Sequence, residues 1–231
     1  MVVVILVDLL RKSSAMGKLI PTLDTELGRN LRDCQTVLDL GCGPKSPLSA
    51  LNHLEKRVGV EPFGPYLELA RANRTHDEFH QKLITDLDFK PDSFDAVIMI
   101  DVIEHMSEED GLVALKLAEE WARKKVIINS PNGFIAQKSL DGNPLQEHKS
   151  GWSYSRMKAL GYHSRGLAGP KWLRQEVEAE TMGDDLMTSI RFRPRFFWFV
   201  IATLLQPIVY RIPQFAFSLM SVKLFSGTDN S

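Results

Sequence analysis

Within Val37-Leu38-Asp39-Leu40-Gly41-Cys42-Gly43 a short apolar run ends in two glycines one residue apart. Glycines at such a point let the backbone turn sharply and approach a ligand closely, and a helix starting just beyond them offers free N–H groups. Asp39 stands two residues before the first glycine. A carboxylate there suits a ligand with an amino group and repels a pyrophosphate. Glu61 closes Val58-Gly59-Val60-Glu61, 22 positions after Asp39 (61 minus 39). That is the kind of spacing at which an acid meets a ribose diol in doubly wound folds. Asp86, in Ile84-Thr85-Asp86-Leu87, is placed for an adenine amino group. Singly, each signal is weak, because a glycine pair after a strand is usually a turn and a lone acid is usually solvated. In this order, each at the end of an expected strand, the three describe a seat for an amino-bearing adenosine ligand.

The elements that must position these residues alternate between strand and helix from 36 to about 168, the pattern of a parallel sheet with crossover helices. Strands are expected at 36–40, 57–60, near 81–84, at 94–100, at 126–128 and at 162–168. Ser46-Pro47 supplies a helix cap followed by proline at the first helical position, and Pro65 opens a helix to about Arg74. Ser107 with Asp110 starts a helix to about Lys124, and Ser153 caps a short one ending at Gly161. Residues 169–214 fit the alternation poorly and read as a helical insertion, with an aromatic run from Phe196 to Tyr210 broken at Gln206-Pro207. Phe217 to Phe225 reads as a closing strand.

Composition bounds the rest. The 231 residues, 44% hydrophobic and 25% charged, suit one α/β domain, and a net charge of -1 gives no case for a nucleic-acid partner. Cys34 and Cys42 have no metal-type pairing and are too few for a disulfide framework, which favours a reduced, cytoplasmic protein. Met1 to Val7 is apolar, but the charges of Asp8 and Arg11-Lys12 come after it. That is the reverse of a signal peptide, so the segment reads as a packing helix within N-terminal helices spanning 1–35.

Together, Val-Leu-Asp-Leu-Gly-Cys-Gly, Gly-Val-Glu-Pro, Thr-Asp-Leu and Phe-Asp-Ala-Val-Ile-Met-Ile-Asp-Val-Ile-Glu-His resemble class I S-adenosylmethionine-dependent methyltransferases across residues 36–168. The resemblance implies a Rossmann-like, doubly wound α/β sheet of seven strands with the last antiparallel, the insertion preceding it. It implies that Asp39, Gly41 and Gly43 hold the methionine end of S-adenosylmethionine, Glu61 the ribose, and Asp86 with Leu87 the adenine. Cys42, Pro62, Ile100 and Asp101 complete the implied contact set. Lys45 stands where the family often has a third glycine.

Asp101-Val102-Ile103-Glu104-His105, Asn129-Ser130-Pro131-Asn132-Gly133 and Gln146-Glu147-His148 resemble a branch with quinone-biosynthesis O-methyltransferases and small-RNA 2′-O-methyltransferases. In some of these a Glu-x-x-Glu-His segment and a later histidine bind a divalent metal. Asp101, Glu104, His105 and His148 offer two carboxylates and two imidazoles for such an ion. The reading without metal ranks first: Asp101 touches the cofactor, Glu104 bonds a helix end and His105 packs. His148 is the candidate general base, since the reference pKa of histidine suits proton transfer near neutrality.

Methyl transfer to a small-molecule acceptor, at oxygen, is the expected function. Two alternatives remain: a non-catalytic or partner-regulating protein that binds S-adenosylmethionine, and an NAD-dependent oxidoreductase. The latter would need Gly-x-Gly-x-x-Gly, where Ser46 occupies the sixth position. Phe196 to Tyr210, flanked by Arg191, Arg193, Arg195 and Arg211, has two readings. A buried lid ranks first and a peripheral membrane contact over 195–211, suited to an apolar or lipid-linked acceptor, ranks second.

Overall fold

The structure is a computed structural model, and it describes residues 20–139, 142–175 and 187–225. Its strands are Thr36–Leu40 (β1), Lys56–Val60 (β2), Glu78–His80 (β3), Phe94–Ile100 (β4), Ala122–Pro131 (β5), His163–Pro170 (β6) and Ala216–Leu224 (β7). They make one sheet in the order β3-β2-β1-β4-β5-β7-β6, with β7 antiparallel to both of its neighbours. The reversal of strand order falls at β1, which lies between β2 and β4. In an open sheet, that is where ligands sit, outside the carboxyl ends of the strands.

Side-chain alternation along the strands splits the core into two layers. Val97 and Met99 face a cluster completed by Ala114, Leu115, Ala118 and Trp121 of helix α3 (Glu108–Trp121). Ala96 and Ile98 face the opposite cluster, where Leu27 of helix α1 (Leu23–Asn30) packs beside Leu31. Helix α2 (Gly64–Ala72) follows β2, and α4 (Tyr154–Ala159) precedes β6.

Four expectations need correction. First, β3 lies at Glu78–His80, not near 81–84. It is an edge strand pairing only with β2, and the apolar pair beyond it is split: Leu83 is exposed and Ile84 turns inward through a 3-10 turn. Second, α3 ends at Trp121 and β5 begins at once. Its charged start is used for anchoring: Arg123 and Lys124 reach Asp95, and Lys125 reaches Asp33. Third, the helix expected after the glycines is one 3-10 turn, Pro47–Ala50, still capped by Ser46 as anticipated.

Fourth, Pro207 does not break the aromatic run, because helix α5 (Arg195–Arg211) continues through it. A proline removes one N–H donor, and here the helix is held from outside. The Gln206 side chain accepts from Gly169 N at 2.7 Å and donates to Gly166 O at 2.9 Å. Parts of two further expectations, the packing helix at 1–7 and residues 176–186 of the insertion, lie outside the described residues.

Asp95 ties the far end of the sheet together. Its Oδ2 accepts from Gln35 N and Thr36 N, and its Oδ1 from the Arg123 guanidinium. Burial would raise its pKa, but the Gln35, Arg123 and Thr36 bonds outweigh burial and hold it at about 2, below the ordinary 3.8. A folded-state pKa below the unfolded one gives stability that is present above pH ~4 and lost as pH falls through the folded value, here worth about 2 kcal/mol. Asp95→Asn is therefore expected to lower the unfolding free energy by about that amount at pH 7. Urea melts should show the gap between the two proteins closing as the pH approaches 2.

Candidate active site

The glycine loop leaves β1 at its carboxyl end. Gly41 N and Cys42 N both donate to Val60 O, at 2.8 and 2.9 Å, so the loop is pinned to the end of β2. Gly41 and Gly43 have φ of 73° and 56°, a left-handed conformation that other residues adopt at a cost. At Gly41 a Cβ would lie 2.5 Å from Val102 Cγ2, whereas at Gly43 it would meet nothing within 4 Å. One glycine is thus closed in by protein and the other faces open space, the cradle a ligand needs. Lys45, where a third glycine was the family's habit, is exposed, and Ser46 beside it is buried.

Asp39 is buried behind this loop. Its Oδ2 accepts from Ser46 Oγ at 2.7 Å and contacts His76 Nε2 at 3.1 Å. His76 Nδ1 lies 2.9 Å from Thr75 Oγ1, whose hydroxyl also donates to Ala70 O at 3.3 Å, so both ring nitrogens are engaged. His76 has no local sequence signal. Only the pairing of β3 with β2 brings it against Gly59, where a Cβ would lie 3.0 Å from its ring. Asp39 thereby braces the loop while keeping a negative charge behind it.

Glu61 is buried at the end of β2. Its Oε2 accepts from Gly43 N at 3.1 Å and its Oε1 from Phe63 N at 2.9 Å. Burial raises its pKa against those two bonds. The carboxylate is fixed in orientation beside the open glycine and retains acceptor capacity for hydroxyl groups. Cys42 is buried, and burial, with the charges of Asp39 and Glu61, pushes its thiol far up, so it packs as an apolar group. Pro62 follows directly. Asp86 is exposed in the 3-10 turn Ile84–Asp86, with Leu87 buried beside it.

On the other side of β1, β4 ends at the half-buried Ile100, and the exposed Asp101 follows it. Asp101 has φ 53°, rare for a residue with a side chain, and is held by Asn129. Asn129 Nδ2 donates to Asp101 Oδ1 at 2.7 Å, and Asp101 N donates to Asn129 O at 2.9 Å. The next turn, Ile103–His105, carries Glu104, whose side chain is buried with Oε2 lacking any hydrogen-bond partner. Burial, and then the Asp101 charge, hold its carboxyl well above the usual range.

His148 arrives from far along the chain, clamped to that turn by its neighbours. Lys149 N and Ser150 N donate to Glu104 O at 2.8 and 3.1 Å, and Trp152 Nε1 donates to Ile103 O at 3.2 Å. The Trp152 indole fills the space over Gly111, where a Cβ would lie 2.5 Å from Cζ2. His148 Nδ1 donates to Ile135 O at 2.6 Å, so Nε2 is the nitrogen that can exchange a proton. The rings of His105 and His148 are 4.7 Å apart. Burial and the neighbouring His148 push the pKa of His105 down to about 4, so it is neutral at physiological pH.

Ligand atoms of Glu104, His105 and His148 lie within 4.8 Å of one another. Asp101, the fourth residue of the sequence set, is not in that group. Sequence reasoning missed Asn129 and Asn132, which were visible only as part of Asn-Ser-Pro-Asn-Gly. Asn132 Nδ2 donates to Pro213 O, Gln214 O and Ala216 O, fastening the chain after α5 to the end of β5.

A glycine cradle, an acid closing β2 and a sheet whose seventh strand is reversed together define the class I S-adenosylmethionine-dependent methyltransferase architecture. Residues 38–125 match the family described as a methyltransferase domain. Over that span the chain is similar to methyltransferase domains, and its sheet is the one that solved methyltransferases share. No curated protein matches the chain by sequence. Solved structures with this fold include the methyltransferase domain of bacterial CtHen1, at 19% identity and TM-score 0.51, covering 92% of this chain and 100% of that one. A second is a chain in the complex of the Haloferax volcanii Trm112 methyltransferase activator with a methyltransferase (17%, 0.52, 94% of each chain). A third is magnesium protoporphyrin IX methyltransferase from Synechocystis with bound SAH (13%, 0.50, 88% and 82%). At these identities the likeness is one of fold.

Proposed function

We propose that this methyltransferase methylates a hydroxyl oxygen of a small-molecule acceptor bound at the ends of β4 and β5, with His148 as the general base. The observation that carries the reading is His148 itself. A remote segment is clamped onto the Ile103–His105 turn, and Nδ1 donates to Ile135 O, so the base role falls to Nε2. Val102, which abuts Gly41, links that turn to the cofactor loop.

When bound, S-adenosylmethionine supplies a methyl group on a sulfonium, and its transfer leaves a neutral thioether. The chain's own residues then have three tasks. Glu61, oriented by Gly43 N and Phe63 N, fixes the ribose hydroxyls, and the Asp39 carboxylate behind the loop favours an amino group over a pyrophosphate. Asp101, held by Asn129, sets the wall between cofactor and acceptor. His148 Nε2 takes the proton that the hydroxyl gives up as its oxygen bonds to the methyl carbon. Alignment of donor and acceptor supplies much of the acceleration in such an in-line displacement.

A second reading is favoured by one observation, the unpartnered and buried Glu104 Oε2. Such an atom is costly unless something meets it. One carboxylate and two imidazoles within 4.8 Å of one another suit a divalent transition ion. Glu104, His105 and His148 would hold it, and it would lower the pKa of an acceptor oxygen.

The test is cofactor turnover against sugars, phenols and prenylated quinone precursors, each assayed with chelator and with added Mg²⁺ or Mn²⁺. A methyl ether product supports the reading, and methylation confined to nitrogen or carbon acceptors sinks it. An unchanged rate in chelator leaves His148 acting alone. A rate lost in chelator and restored by Mn²⁺ assigns the cluster to a cation.

A further inference from the structure

Helix α5 buries one face against the sheet edge through Phe199, Ala202, Gln206 and Val209, at the 3-4-3 spacing of a helical stripe. Its outer face should then be polar. Instead it presents Phe197, Leu204 and Ile208, continued beyond the helix by Phe215, each more than half exposed. At its amino end Trp172, Phe192, Phe197 and Trp198 form a chain of ring contacts, and Trp172 is also more than half exposed. A helix apolar on all sides needs cover on all sides.

The charges around this face say what the cover is. Arg191, Arg193 and Arg195 flank the aromatic end and Arg211 the other, all exposed, and residues 187–225 contain no Asp or Glu. A second copy docking about a twofold axis would bring these arginines toward one another uncompensated. No helix among the described residues is long and apolar enough to cross a membrane. An apolar stripe edged by aromatic rings and arginines is instead the signature of a segment lying in the headgroup boundary.

We propose that the outer face of α5, with Trp172, Phe192 and Phe215 at its ends and Arg191, Arg193, Arg195 and Arg211 beside it, docks on the surface of an anionic phospholipid bilayer. The inference does not rest on the acceptor or on His148. It does connect to the site: the chain leaving α5 is held by Asn132, which bridges to Trp152 of the His148 clamp.

The experiment is flotation of the full chain with vesicles of phosphatidylcholine alone or mixed with phosphatidylglycerol, at low and high salt. Binding to the mixed vesicles is expected to exceed binding to phosphatidylcholine at least tenfold and to fall with salt. Leu204→Glu with Ile208→Glu should reduce it at least tenfold, as should Arg191→Glu with Arg193→Glu. Melting temperature and S-adenosylmethionine affinity should stay unchanged in both variants. A chain that stays in the soluble fraction with mixed vesicles overturns the proposal, as does binding indifferent to the arginine reversals. Two further results also overturn it. A dimer dissolved by the Leu204→Glu, Ile208→Glu pair would assign the face to a second copy. A lower melting temperature for that pair would mean the chain already covers the face itself.

Discussion

His148→Asn is expected to slow methyl transfer to a hydroxyl acceptor by at least about a hundredfold, the usual span for losing a positioned general base. Affinity for S-adenosylmethionine should stay within about twofold, because none of the loop contacts involve His148. The imidazole is held by its Nδ1 bond to Ile135 O and by the backbone clamp on Glu104 O. Asparagine keeps a donor for Ile135 O and leaves no base at the other end. The comparison variant is Trp152→Phe, which drops the indole bonds to Ile103 O and Ser150 Oγ and shortens the ring over Gly111. Trp152 is a positioning residue in this account. Its loss should lower kcat less than His148→Asn and be partly masked when substrate orientation limits the rate. Rates and calorimetric affinities measured on both variants check this. If His148→Asn turns over normally, the base assignment is gone.

Gly41→Ala carries the second large effect. A side chain at φ 73° costs on the order of 1 kcal/mol or more, and its Cβ would stand 2.5 and 2.9 Å from the two Val102 methyls. Strain and overpacking together should lower stability by about 3 kcal/mol. They should also weaken S-adenosylmethionine binding more than about tenfold, because the backbone that shapes the cradle and orients Glu61 moves. Gly43→Ala makes the contrast. Its Cβ would meet no protein atom within 4 Å, so it pays the backbone strain alone and points into the open side of the cradle. Affinity should fall with a smaller loss of stability. Thermal melts with and without S-adenosylhomocysteine separate the two variants. Equal loss of stability in both would show that the loop is not closed in on one side only.

Much of this was legible in the sequence because β1, β2 and β4 are fully flanked, and burial on both faces leaves continuous apolar runs such as Phe94–Ile100. The strand ends then placed Asp39, the glycines, Glu61 and Asp101 without further help. What escaped is what depends on remote partners. Edge strand β3 shows no apolar run because it pairs on one side only. The first residues of β5 are charged because Asp95 and Asp33 receive them, which made Arg123 and Lys124 read as a helix end. Pro207 sits inside α5 because Gln206 is bonded to β6, an attachment no local pattern records. His76 and Asn132 serve atoms 37 and more than 80 positions away in the chain. Conversely, the acid–imidazole set was read as four residues, yet the turn at Ile103–His105 and the clamp on its carbonyls gather three.

Single-turnover transfer of labelled methyl from S-adenosylmethionine to the best hydroxyl acceptor, in the intact enzyme and in His148→Asn at matched cofactor occupancy, tests the central claim most directly. A methyl ether is the expected product, formed at a rate at least about a hundredfold lower in the variant. Equal rates at equal occupancy, or a methyl group found on nitrogen or carbon, would contradict it.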